Sequence, residues 1–256
     1  EVGFLPRSNF VRPGMRIFFQ PQPTRPKWIR RVAPHISANA FYDADEVRPG
    51  AGRQLQTAFW HVHPFEIQPM QGGRFGWFFD VNKDNPLAPF QVYNRDGKRV
   101  VIPVGEYTWT QHSFEYFHNP SSAVTGGLRY RVGEYYNGDF NAIELTSEYR
   151  FTARVTASIG WTRQDIRLPG EGRSFVTNLV PVKTTIAFTN LASLSLLAQY
   201  NGQTGQYSAN ARLALLNRSG TGLFIVYNDR RDVLDSTSYD TVGRSLVVKY
   251  TRLFDF

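Results

Sequence analysis

The sequence predicts an all-β fold: an antiparallel transmembrane β-barrel that residues 1–256 form as one domain in the bacterial outer membrane. Apolar and polar residues alternate along the C-terminal half, as in strands that face lipid on one side. Turn-forming residues separate segments of about 9–15 residues, the length that a tilted strand needs to cross a bilayer. The last segment ends on an aromatic residue, Phe256, as outer-membrane barrels do.

The alternation is clear in several segments. Leu194, Leu196 and Ala198 fall on one face of a strand, whereas Ser195 and Gln199 fall on the other. Further apolar faces comprise Ile143, Leu145 and Tyr149; Val155, Ala157, Ile159 and Trp161; and Ala209, Ala211, Leu213 and Leu215. We therefore expect these residues to face outward.

Turn signals divide the chain into about 12–14 strands. They include Asn119–Ser122, Asn137–Asp139, Pro169–Gly172, Asn201–Gly205 and Asn217–Thr221. The N-terminal strand candidates are Arg12–Gln20, Val32–Asp43, Arg53–Glu66 and Arg74–Val81, followed by an insertion at Asn82–Gly105. The count comes to about 13, whereas single-chain bacterial barrels have an even number of strands. We therefore expect strands upstream of Glu1, and a chain that is the C-terminal portion of a longer protein and part of a larger barrel.

Composition narrows the classes of function. Cysteine is absent, which fits export through an oxidising compartment. Aromatic residues make up 15% of the chain, as the aromatic girdles of a barrel require. No apolar run approaches the roughly 18 residues of a spanning helix. The net charge is +8, but no recognition motif accompanies it, so we expect lipid and lipopolysaccharide rather than nucleic acid as partners.

The last strand also predicts a partner and an orientation. Tyr250, Phe254 and Phe256 share its apolar face and form the predicted signal for the barrel assembly machinery, and Arg252 interrupts that face. With Phe256 on the periplasmic side, the insertion at Asn82–Gly105 and the loop at Asp229–Thr241 lie outside the cell. Asp229, Asp232, Asp235 and Asp240 make the second of these loops acidic.

Several motifs resemble the C-terminal part of a bacterial family of outer-membrane barrels. These motifs are Glu1–Phe4, Gln199–Asn201, Leu223–Asn228 and Arg244–Phe254. In that family a signal peptide and a carbohydrate-binding-like β-sandwich module of the family-nine type precede the barrel. The resemblance implies a barrel scaffold without catalytic residues, and it makes an N-terminal module or an envelope protein a candidate partner.

The predicted lumen face carries a charge cluster. It consists of Arg129, Arg131, Glu144, Glu148, Arg150, Arg154, Lys183, Arg212 and Lys249. Opposite charges on neighbouring strands pair and stabilise a sheet, so we expect Arg129 and Arg131 near Glu144 and Glu148. This cluster is either a salt-bridged wall or a cation-lined path for anionic solutes or a plug domain.

The remaining polar residues do not predict an enzyme or a cofactor. His61 and His63 share a face and could chelate a metal, but Glu66 falls on the opposite face by simple alternation, so no metal site is predicted. His112 and His118 fit aromatic-girdle positions. We expect a non-enzymatic barrel that anchors a module or handles solutes or glycans. The alternatives are a structural subunit of an envelope complex, a barrel hydrolase and a soluble all-β binding domain.

Overall fold

The structure, a computed structural model, describes residues 10–44, 54–95, 97–217, 221–233 and 239–252. Within these ranges the chain is all-β, with seventeen strands and no helix. The described ranges accordingly contain no helix that is long and apolar enough to span a membrane. Glu1–Phe4 of the family motifs, Asp235 of the acidic loop, and Phe254 and Phe256 of the predicted assembly signal lie outside the described residues.

The strands follow one another with short connections. The first nine are β1 Phe10–Val11, β2 Gly14–Phe18, β3 Ile29–Val32, β4 His35–Asp43, β5 Leu55–Pro69, β6 Arg74–Asp84, β7 Phe90–Arg95, β8 Lys98–Ile102 and β9 Tyr107–Phe117. The other eight are β10 Val124–Tyr135, β11 Gly138–Thr152, β12 Val155–Arg167, β13 Ser174–Ala187, β14 Ala192–Asn201, β15 Gln206–Leu216, β16 Gly222–Val233 and β17 Tyr239–Thr251.

Fifteen of these strands form one antiparallel sheet. Its order is β1-β4-β5-β6, followed by β9 to β17 in sequence, while β2 pairs with β4 and β3 pairs with β5. The path from β1 to β17 therefore passes through 13 strands, within the predicted range. The sheet contains two more strands, β2 and β3, because Pro13 separates β1 from β2 and Pro34 separates β3 from β4. The separate strands β7 and β8 bring the total to seventeen. Proline has no N–H to donate to the ladder, so it interrupts a strand.

The antiparallel all-β prediction is confirmed, but no strand pairing among the described residues closes the sheet into a barrel. Strand β17 pairs with β16 along one side, and no other strand of the described residues pairs with its second side. Closure, the membrane location and the larger barrel remain predictions.

The described chain divides into two compact units. The first comprises the described parts of Glu1–Tyr116, together with Arg129–Asn141 and Asp165–Phe175. The second comprises Phe117–Leu128, Ala142–Gln164 and the described parts of Val176–Phe256. The predicted insertion lies in the first unit, where β7 and β8 form a separate two-stranded hairpin.

The hairpin holds much of the first unit's core. The side chains of Val100 and Ile102 are fully buried, and Tyr93 stacks on Phe175 with ring centroids 4.7 Å apart. The guanidinium of Arg173 donates a 2.8 Å hydrogen bond to the carbonyl of Val101. An insertion that reads as a loop in sequence is thus a packed element, because Val100 and Ile102, two residues apart, fall on one face of β8 and are buried there.

Tyr136 forms the tight turn between β10 and β11 in the same unit. It adopts a positive φ of 55°, and its hydroxyl donates a 2.6 Å hydrogen bond to the Asp84 carboxylate. Burial, reinforced by this bond to Asp84, raises the pKa of the Tyr136 hydroxyl above its usual range.

Candidate functional site

An apolar surface crosses five strands of the second unit, and we call it the apolar face. The pairing registers place alternate residues of β13 to β17 side by side on it. The alternation predicted for β14 and β15 is therefore confirmed, whereas its outward direction stays a prediction. Its members are Val180, Val182, Thr184, Ile186, Ala192, Leu194, Leu196, Ala198, Tyr200, Tyr207, Ala209, Ala211, Leu213, Leu215, Leu223, Ile225, Tyr227, Leu246, Val248 and Tyr250.

No second layer of described residues covers the centre of this face. Leu196 is 40% exposed, and the edge residues Val248 and Tyr250 are 61% and 64% exposed. A soluble sheet buries such a face against a helix or another sheet. Contiguous exposed apolar surfaces are typical of sites that contact lipid or another protein.

The alternate residues of the same strands form the polar face. Its centre is a row of side-chain hydrogen bonds: the Asn210 amide donates to the Asn228 oxygen at 2.6 Å, and the Asn228 amide donates to the Ser245 hydroxyl at 3.1 Å. Three members of the predicted charge cluster, Lys183, Arg212 and Lys249, lie on this face. The face also has apolar members, among them Phe224, over which the Arg212 guanidinium lies 5.1 Å from the ring centroid.

The other members of the predicted charge cluster lie on β10, β11 and the turn that follows. The Arg150 guanidinium contacts the Glu148 carboxylate at 3.2 Å on β11, which also carries Glu144. The Arg131 guanidinium lies 5.2 Å from the Phe140 ring centroid, and Arg154 lies in the turn between β11 and β12.

Arg129 has an acidic partner that the sequence did not reveal. Its Nη2 lies 3.1 Å from Glu115 of β9, and the Arg74 Nε contacts the other Glu115 oxygen at 2.9 Å. The Glu115 side chain is only 4% exposed. A buried carboxylate needs such partners to remain charged, so Glu115 with its two guanidiniums ties β6, β9 and β10 together.

The predicted acidic loop is largely strand. Asp229 and Asp232 belong to β16, and Asp240 belongs to β17. Asp229 contacts Arg231 at 2.7 Å and Arg244 at 3.5 Å, so its charge is matched by basic residues. Asp229, Arg231 and Arg244 lie on the same side of the sheet as the apolar face, beyond Tyr227 and Leu246, so charged side chains follow apolar ones there.

Three histidines come together on β4 and β5 in the first unit. His35 of β4 pairs directly with His63 of β5, and His61 is on the same face of β5 as His63. One ring nitrogen from each histidine lies within 4.8 Å of the others. We call His35, His61 and His63 the histidine triad. His35 was not in the predicted pair, because sequence spacing alone does not show which strand pairs with β5.

The position expected for Glu66 was wrong. Its Oε2 lies 3.6 Å from Nδ1 of His63 and 3.9 Å from Nδ1 of His35, on the side of the triad. The cause is a register shift in β5 between Val62 and Phe65, at Pro64. A bulge adds one residue to a strand and thereby exchanges the faces of all residues after it.

His112 lies among aromatic residues, whereas its girdle position stays a prediction. Its ring stacks on Trp77 at 6.0 Å and lies 5.9 Å from Phe79. Phe65 of β5 pairs with Trp77 and contacts Phe75, which extends this aromatic surface. His118 lies in the connection after β9.

Comparison of the chain with models of known protein families, with curated proteins and with solved structures finds no match in any of the three. The resemblance to a family of outer-membrane barrels therefore stays a hypothesis. The function must be argued from the faces of the sheet.

Proposed function

We propose that the chain forms a non-enzymatic β-barrel wall in the bacterial outer membrane, as the whole or the C-terminal portion of the barrel. In this role it anchors a periplasmic or surface module, or handles solutes such as glycan fragments. The observation that supports it is the exposed apolar face of β13 to β17, backed by a polar face on the same strands. Alternation of this kind is typical of strands between lipid and an aqueous lumen.

The dimensions of the apolar face also support contact with lipid. On β15 it runs from Tyr207 to Leu215. At about 3.4 Å per residue these eight steps span about 27 Å along the strand, and a tilt of about 40° leaves about 20 Å across the membrane. This height approaches the apolar band of about 25 Å in outer-membrane barrels.

One end of the face has the chemistry of a membrane interface. Tyr200 pairs with Tyr207 at one end of β14 and β15. On β16 and β17 the aliphatic residues give way to Asp229, Arg231 and Arg244. Arg231 pairs with Tyr207 and Asp229 pairs with Ala209, so these charges lie level with the tyrosines. Aromatic residues flank the apolar band of outer-membrane barrels, and charged residues cost little near the interface, so lipid and lipopolysaccharide are the proposed partners.

The free side of β17 favours a second candidate, a structural subunit of a larger envelope complex. Within the described residues this side has no pairing strand, and an unpaired edge is a template for a strand from another segment or protein. A strand of a longer chain, or of an envelope protein, would close the wall here. Barrel assembly machinery that recognises Tyr250 with Phe254 and Phe256 would bind to β17 and the residues that follow it.

Vesicle flotation of the full chain tests the membrane assignment. The chain is refolded from urea in detergent, mixed with phospholipid vesicles, freed of detergent and floated on a density gradient. We expect it to float with the lipid and to resist extraction by high salt. A chain that remains monodisperse in plain buffer and sediments apart from the vesicles contradicts the assignment.

Conductance measurements then distinguish the two candidate functions, a solute-handling pore and a structural subunit. A lipid-inserted chain that carries steady ion current in a planar bilayer supports solute handling. A chain that floats but carries no current, and that co-purifies with a stoichiometric envelope protein, supports the structural subunit.

A further inference from the structure

We propose that the histidine triad binds a divalent transition-metal ion of the Zn²⁺ class. Three imidazoles are a frequent ligand set for such ions, which prefer nitrogen donors. Nitrogens about 2.1 Å from a tetrahedral ion lie about 3.4 Å from one another. In the triad the nitrogens lie within 4.8 Å, so the widest pair has to close by at most about 1.4 Å.

Two of the imidazole rings are held in place by a hydrogen bond at Nδ1, the ring nitrogen that does not need to bind the ion. Nδ1 of His61 lies 2.7 Å from the Asp80 carboxylate, and Nδ1 of His35 lies 3.0 Å from the carbonyl of Ala33. Metal-binding histidines characteristically donate one N–H to a carboxylate or a backbone carbonyl, which leaves the lone pair of the other nitrogen for the ion. His61 and His35 thus have the outer-shell partners that a metal site needs.

His63 supplies an independent observation. It is 4% exposed, and its Nε2 is buried with no hydrogen-bond partner among the described residues. A buried polar nitrogen without a partner costs about 1–3 kcal/mol, so a native protein rarely leaves one. A Cβ at Gly76 would come within 2.6 Å of Nε2, so the glycine leaves out a side chain that would block this nitrogen. A metal ion bound to Nε2 of His63 would supply the partner that this atom lacks among the described residues.

The surroundings favour a transition metal over Ca²⁺ or Mg²⁺. The Glu66 carboxylate beside His63 and His35 adds one negative charge and a further oxygen donor. Phe78 packs against His61 and His63 with centroid distances of 4.8 and 5.1 Å. Three nitrogens, one carboxylate and an apolar wall suit Zn²⁺, Cu²⁺ or Ni²⁺, whereas hard ions require an oxygen cage.

The site does not depend on the proposed membrane location. All its residues belong to β4, β5 and β6 or their immediate flank at Ala33, within the first unit. The apolar face belongs to the second unit. The two assignments can therefore fail separately.

Zinc titration of the full chain tests the site. The chain is refolded in detergent, stripped of metal with EDTA, and titrated in competition with a chromophoric chelator. We expect one Zn²⁺ per chain, and intense visible absorption when Co²⁺ replaces it in a tetrahedral site. His35→Ala and His61→Ala should each weaken binding by at least about 10-fold. His118→Ala, in the connection after β9, is the matched histidine control and should keep the parent affinity within about twofold.

Asp80→Asn provides a variant that keeps all three rings. It removes the charge that orients His61, and we expect about 10-fold weaker binding with an unchanged far-UV circular dichroism spectrum. Substoichiometric Zn²⁺ in the parent chain overturns the site. So does a parent-like affinity in Asp80→Asn or in the double variant His35→Ala, His61→Ala.

Discussion

A single arginine placed at the centre of the apolar face distinguishes a lipid-facing surface from a solvent-exposed one. Ala211 is the midpoint of this face on β15, with Leu196 and Tyr227 as its paired neighbours. Tyr207 and Leu215 are each four residues away, about 14 Å along the strand, or about 10 Å in depth at a tilt of about 40°. Ala211 would therefore lie close to the midplane of the bilayer.

The expected cost of Ala211→Arg follows from this depth. Arginine at the midplane of a barrel destabilises it by about 2–4 kcal/mol, and near the interface by only about 0–1 kcal/mol. The same change on a water-exposed strand surface stays within about 0.5 kcal/mol. Ala214→Arg is the matched control, because Ala214 lies on the polar face of the same strand.

The measurement is equilibrium urea unfolding from phospholipid vesicles, followed by the fluorescence of the chain's tryptophans. We expect Ala211→Arg to lower the free energy of unfolding by about 2–4 kcal/mol and Ala214→Arg by less than about 1 kcal/mol. Val248 and Val247 are neighbours on opposite faces of β17, and Val248→Arg should likewise lower the free energy of unfolding more than Val247→Arg does. Equal, small effects at Ala211 and Ala214 would refute the lipid-facing assignment.

Three further predictions concern interactions within the sheet. Glu115→Gln should lower the free energy of unfolding by about 2–3 kcal/mol, because it leaves two guanidiniums without their buried carboxylate. Glu148→Gln, the control at an exposed ion pair, should lower it by at most about 1 kcal/mol, and equal losses for the two variants in denaturant titrations would contradict this prediction. Asn228→Ala should cost about 1–2 kcal/mol in the same assay through the loss of two hydrogen bonds, and an unchanged midpoint would show that the row contributes nothing. Because folding raises the pKa of Tyr136, the free energy of unfolding should fall as the pH rises above about 10, the pKa of an unfolded tyrosine. Tyr136→Phe should lack part of this fall when unfolding is measured from about pH 8 to about pH 11, and identical pH profiles for the two chains would contradict the prediction.

The sequence predicted the elements well because strand alternation is a local property. The face assigned to Leu194, Leu196 and Ala198 depends only on a period of two, and the pairing of β13 to β17 keeps that period intact. The turn at Asn201–Gly205 was equally local, since it is rich in residues that favour turns. Residues 218–220 of the predicted turn at Asn217–Thr221 lie outside the described residues.

The candidate sites were harder to predict because they depend on pairing between distant strands. Arg74 and Glu115 are 41 residues apart, and His35 meets His63 only through the register of β4 and β5. The face of Glu66 also required knowledge of the bulge at Pro64. A proline within a strand marks a candidate position for such a bulge. It is not sufficient by itself, because the register of β13 with β14 continues unchanged through Pro181.

The β7–β8 hairpin determines where this protein can be labelled or cut. Long connections between strands are the usual positions for epitope tags and protease sites, and residues 85–106 connect β6 to β9. Here, however, the connection contains Val100 and Ile102, the largest fully buried aliphatic side chains of the described residues. Their amide protons should exchange with solvent only when a cooperative unit opens, far more slowly than a loop of this length suggests. An epitope inserted at this point would therefore disrupt packing in the first unit and not merely decorate its surface.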